Sequence, residues 1–175
     1  MRKAFFLTFL AIFTAGIACA QYKPTDQGSS LQFTVKNFGF DVTGTFKGLD
    51  GNIIFDPANI ATAAFDVTID ASTVNTDNSL RDGHLRGDSY FDVQHYPKIH
   101  FASTQVTGKN GSYKITGKLT IKKTTKVVSF PFSASVSNNG YLFKGNLTIN
   151  RKDYDVGGSS TISDELTVAL NIVAK

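Results

Sequence analysis

The sequence predicts an all-β domain: one antiparallel sheet of eight to nine strands closed into a barrel, with a short helical or loop insertion around residues 77–97. Three observations carry this. Apolar and polar residues alternate with period two along most of the chain, the pattern of strands with one wet face. Dipeptides that supply positive φ stand between the alternating runs. Outside the insertion, no segment has the apolar spacing of the crossover helix that parallel neighbours need.

The elements follow in order. Phe33 and Val35 begin the pattern, then Phe40, Val42 and Phe46, so the first two runs read as separate strands or as one bent strand hinged at Asn37-Phe38-Gly39. Asp50-Gly51 reads as a two-residue hairpin before Ile53 and Phe55. From Ala64 to Asp70, Phe65, Val67 and Ile69 alternate with Asp66, Thr68 and Asp70. Residues 77–87 could form one or two helical turns, with Asp77 as N-cap and Leu80 and Leu85 as the apolar side, although Gly83 weakens them. Ile99 and Phe101 resume the strand pattern.

Beyond Asn110-Gly111, a second hairpin signal, Tyr113, Ile115, Gly117, Leu119 and Ile121 alternate with Lys and Thr over the eleven residues 112–122. Val128, Phe130, Phe132, Ala134 and Val136 form the next run, and Asn139-Gly140 the next turn. Tyr141, Phe143, Gly145, Leu147 and Ile149, then Leu166, Val168, Leu170 and Ile172, complete the set. A sheet this large and apolar on one face must close or fold over to bury that face and its edges. Runs longer than the usual five or six residues favour a tall barrel over a sandwich. Gly117 and Gly145, at inward parity, either bend the wall or leave room beside a ligand.

Residues 1–20 read as a secretory signal: Arg2 and Lys3, an apolar stretch to about Ala15, and the small-x-small site Ala18-Cys19-Ala20. Cleavage after Ala20 would begin the exported chain at Gln21 and place it in the periplasm. Lipidation at Cys19 is the less favoured alternative, because Gly16 stands where a lipoprotein signal carries Leu. Removing 20 of 175 residues leaves 155, with Met1 and Cys19 gone and no Trp, which fits one domain at 21–175 without disulfides. Losing Arg2 and Lys3 lowers the net charge from +4 to +2, and scattered lysines argue against a nucleic-acid partner. Of 15 Phe, Phe5, Phe6, Phe9 and Phe13 leave with the leader; the remaining 11 Phe and 6 Tyr suit either a packed core or a ligand-lined interior.

Chemistry-bearing residues concentrate in 81–97, where Arg81, Asp82, His84, Arg86, Asp88, Asp92 and His95 crowd a non-strand segment. Three readings stand: a structural plug, a ligand mouth, or a metal site for which His84, His95 and His100 lack ligand spacing. Catalysis finds no support. Glu165 is the one glutamate, and no HExxH, G-x-S-x-G or phosphate-binding glycine loop occurs. Asp153 and Asp155, beside Arg151 and Lys152, read as an ion-paired turn, and residues 157–160 as a flexible loop.

The run RDGHLRGDSYFDVQHYPKIHF resembles the signature of the YceI-like family of bacterial periplasmic proteins. Gly117-Lys118-Leu119-Thr120-Ile121, Thr125-Lys126-Val127-Val128 and Arg151-Lys152-Asp153-Tyr154 match further motifs in the family's order. Lys123 and Asp155 depart from it, each standing where a turn glycine is usual. The resemblance implies a lipocalin-like eight-stranded barrel that holds a polyisoprenoid, a quinone or another long amphiphile; the residues themselves give the expectation of no catalytic residue, metal or permanent cofactor. Parity then makes Phe65, Val67, Phe101, Ile115, Phe132, Phe143 and Leu147 the candidate lining, with Arg81, His84, Arg86 and Tyr96 near an opening. The partner is an apolar small molecule; transient membrane contact for ligand exchange and a homodimer are left open. The rival is a ligand-free structural or adhesive β-sandwich or barrel.

Overall fold

A computed structural model describes residues 20–159 and 161–175; the signal segment expected at residues 1–20 lies, but for Ala20, outside them. Nine strands form in chain order: β1 (Gln21–Tyr22), β2 (Pro24–Asn37), β3 (Phe40–Ile54), β4 (Ala64–Asn75), β5 (Lys98–Lys109), β6 (Ser112–Ile121), β7 (Thr124–Ser137), β8 (Gly140–Asn150) and β9 (Ile162–Ala174). The sheet order β1-β3-β2-β9-β8-β7-β6-β5-β4 returns on itself through β3–β4 pairing. Because β1 and β2 lie along opposite halves of β3, they act as one stave, and the closed barrel has eight.

Turn chemistry explains the staves. Phe38 and Gly39, both at positive φ, reverse the chain between the paired Asn37 and Phe40, so the predicted hinge is a hairpin. Asn110-Gly111 does the same between Lys109 and Ser112, and Lys122-Lys123 between Ile121 and Thr124. Two expectations are corrected. Asp50-Gly51 is no turn: it lies inside β3 at a register shift, where Gly51 at φ 129° pairs with Val67 and a Cβ would strike the Asp66 carbonyl. The β7–β8 turn is Asn138-Asn139, and Gly140 instead begins β8, where a Cβ would meet the carbonyl of Ala174.

The insertion holds one helix, α1 (Ser79–Arg86), whose N-cap is Asn78, its side chain accepting from Arg81 N. Leu85 packs inward, but Leu80 is 72% exposed, because eight residues give only one inward stripe. Phe40, on the hairpin tip, is exposed as well.

The two barrel ends differ. At the end bearing the β5–β6 and β7–β8 hairpins, Phe55 is 1% exposed and its ring meets Tyr113, Tyr141 and Phe143 at centroid distances of 5.0 to 5.3 Å, mostly edge to face. Phe65 and Phe132 complete this solid plug. At the other end, α1 and the following loop fold across the opening: Leu85 and Phe91 pack on Phe33, Phe46, Ile69 and Val74, and Tyr90 on Ile121, Tyr154 and Val156.

Candidate functional site

Between plug and cap lies a cavity of about 250 Å³. Alternation along tilted strands turns every second side chain inward, so the lining is drawn from all eight staves. Phe65, Val67, Phe101, Ile115, Phe132, Phe143 and Leu147, inward by parity, all line it. They are joined by Leu31, Phe33, Val35 and Phe46 from β2 and β3, by Leu166, Val168, Leu170 and Ile172 from β9, and by Leu85, Tyr90, Phe91 and Val156 from the cap. The strand residues in this second group carried the same alternation signal. Tyr90, Phe91 and Val156 sit in irregular backbone, and no period pointed to them.

Two glycines shape the space differently. A Cβ on Gly117 would collide with the Phe101 ring, so its absence seats that ring. Gly145 lines the cavity itself, with Pro131 O 3.1 Å from where its Cβ would lie.

The four polar or aromatic candidates from the insertion are not among the lining residues. Arg81 donates from Nε to Thr76 Oγ1 and from Nη2 to Thr76 O, both at 2.7 Å. Thr76 in turn donates from N and Oγ1 to the buried Asp82 carboxylate. Arg86 donates to Ser72 O at 2.7 Å and Val74 O at 2.8 Å, closing the end of β4. His84 is exposed on α1, and Tyr96 lies beside the His95 ring, whose Nδ1 is 2.8 Å from Asp92. The segment's polarity is thus spent on fixing the cap.

A stronger anchor sits in the turn after β8. Arg151, 3% exposed, donates to the carbonyls of Ser163, Val156, Gly157 and Ile162 at 2.9 to 3.1 Å and to Asp164 at 3.0 Å. It gathers the loop that covers part of the barrel mouth, and its stem borders the cavity. Next to it Tyr154 is buried, which pushes its phenol pKa up to about 12, with Asp153 adding to the rise.

Chemically, the cavity is an apolar chamber whose walls offer few polar groups, Thr68, Lys144 and Arg151 among them. Among the described residues, no carboxylate or His lines it. Such a chamber binds apolar chains by excluding water.

A family model described as YceI-like domain matches residues 22–174. A UPF0312 protein of Yersinia pestis is 34% identical over 155 residues, covering 83% of this chain and 81% of that protein. The crystal structure of Burkholderia cenocepacia BcnA superposes with a TM-score of 0.79 at 27% identity, over 84% of this chain and 96% of that one. A polyisoprenoid binding domain from Saccharophagus degradans shares the fold at TM-score 0.72 and 16% identity, over 90% and 98% of the two chains.

Proposed function

Because the chain belongs to the YceI-like family, we propose that it is a non-catalytic carrier that holds a polyisoprenoid or similar long amphiphile inside its barrel and works in the periplasm after export. The apolar cavity, walled by all eight staves, is the observation that carries the reading. The Saccharophagus domain of the same fold, named for polyisoprenoid binding, supports it. Export rests on the sequence of residues 1–20 alone.

Volume sets the scale of the ligand. An apolar cavity of about 150 Å³ takes benzene, so about 250 Å³ encloses on the order of ten carbons, two isoprene units. At about 0.8 kcal/mol per buried CH2, that chain gains roughly 8 kcal/mol before ordering costs. A longer chain must continue outside the enclosed space.

Leu147→Phe tests this, because Leu147 lines the cavity and the larger ring would take up ligand space. Titration with geraniol should show affinity falling at least tenfold while thermal stability stays close to wild type. Unchanged affinity would mean that the chain binds elsewhere.

A further inference from the structure

Two ladders of the wall are short, β4–β5 and β7–β8. The first, paired from Asp66↔Ala102 to Asp70↔Lys98, is continued at its ends by Ala71 N donating to Pro97 O and Phe65 N to Ser103 Oγ, whereas the β7–β8 seam has no such closure among the described residues. β6 pairs with β7 from Ser112↔Ser133 to Ile121↔Thr124, and β8 with β9 from Tyr141↔Ala174 to Asn150↔Glu165. Between these two hairpin pairs, β7 and β8 pair only from Ser137↔Gly140 to Phe132↔Gly145, so residues 124–131 and 146–150 have no ladder partners across the seam. Pro131, which has no N–H to offer, stands where the ladder stops. Lys126 confirms the gap: it lies in the inward row opposite Leu119, yet it is exposed. Lys122, donating to the carbonyls of Asp88 and Asp155, bridges the top of the slit to the cap.

At the foot of the slit, inside and outside meet. Phe132, Lys144, Gly145 and Leu170 line both the cavity and a shallow groove on the outer surface. The groove adds Ser112 and Ser133, which stand in one cross-strand row with Lys144, and Asn146 beside them. These side chains offer two hydroxyls, an amide and an ammonium, all able to donate. Lys144 makes no ion pair with any described residue. Nor is there a nearby carboxylate in sequence to compete, since residues 98–150, the whole of β5 to β8, carry 8 Lys and no Asp or Glu. That wall presents a one-signed field to an approaching anion.

We propose that this groove seats the anionic head, of the phosphate or carboxylate class, of an amphiphile whose chain enters the barrel through the β7–β8 slit beside Gly145. The proposal rests on the carrier reading and adds to it the head-group site and the entrance.

Geranyl phosphate, geraniol and inorganic phosphate, titrated separately into the full exported chain, test it. Geranyl phosphate should bind about ten- to a hundredfold more tightly than geraniol, the scale of a hydrogen bond to a charged group. Lys144→Met should erase that advantage, read as the ratio of geranyl phosphate to geraniol affinity within the same variant, with Lys144→Arg restoring the ratio. Lys118→Met, a charge loss on the same wall six residues along β6 from Ser112, should keep it. Equal affinity for the two prenyl ligands, or an equal loss in Lys118→Met, would overturn head-group reading at this groove. Displacement of geranyl phosphate by equimolar inorganic phosphate would mark an anion site independent of the barrel and overturn it too. Failure of both prenyl ligands to bind would instead remove the carrier reading beneath it.

Discussion

Arginine side chains show how a residue's role depends on what its donors already hold. Arg81 and Arg86, the obvious cations of the insertion, spend their guanidinium groups on Thr76 and on β4 carbonyls. Arg81→Gln and Arg86→Gln should therefore lower the melting temperature while changing affinity for geranyl phosphate and geraniol by the same factor. Selective loss of the phosphate ligand would return the head group to the cap. Arg151 is the more extreme case. Arg151→Met would leave its gathered carbonyls without donors and Asp164 without its partner, and chemical denaturation should show a loss of about 3 kcal/mol or more. Its motif was visible in the sequence, but an Arg-Lys-Asp-Tyr run looks the same whether solvated or buried, so the anchor was not. Tyr154 adds a pH signature. Its phenol is neutral in the folded protein up to about 12, above the usual value near 10, so its contribution is intact below pH 10 and is lost as pH rises from there through about 12. Absorbance titration should find Tyr154 ionising only with alkaline unfolding, beside Tyr141, whose pKa burial also raises.

Among the elements, the strands were legible and the turns only partly so. Period-two alternation identifies a strand because the pleat enforces it, and every stave predicted from it forms. Positive φ is a weaker guide, since a bulge and a hairpin both demand glycine. Gly51 illustrates the ambiguity: it follows Asp as a turn glycine would, but its freedom is used for close approach to β4 inside a long strand. Gly51→Ala should cost about 1 to 3 kcal/mol from strain and collision. Gly83, in α1 with open space around it, should behave in the opposite way, with Gly83→Ala stabilising by about 0.5 to 1 kcal/mol. Paired urea melts of the two variants check both signs. The short β7–β8 ladder carried no sequence signal beyond Pro131, because pairing across a seam is a property of two strands together.

At the scale of the whole molecule, one barrel combines a rigid aromatic plug, a polar-stitched cap and a chamber between them. Inward parity was enough to find seven of the lining residues, because closure turns each stave's apolar face the same way. It could not say how much of the interior is solid. Phe55, from the β3–β4 loop, fills the hairpin end and shortens the chamber, which is why length and composition alone left a packed core and a ligand-lined one equally open. On the proposed carrier reading, the same plug would make binding selective by size: chains near two isoprene units would fit entirely, and longer ones would leave through the wall. Protein purified from its native cells, extracted with organic solvent and analysed by mass spectrometry, tests the central claim most directly. A prenyl or similarly long-chain amphiphile should be recovered in near-stoichiometric amount, and intact-mass analysis under native conditions should show the complex. An empty protein that also takes up no prenyl ligand when one is supplied would contradict the carrier reading.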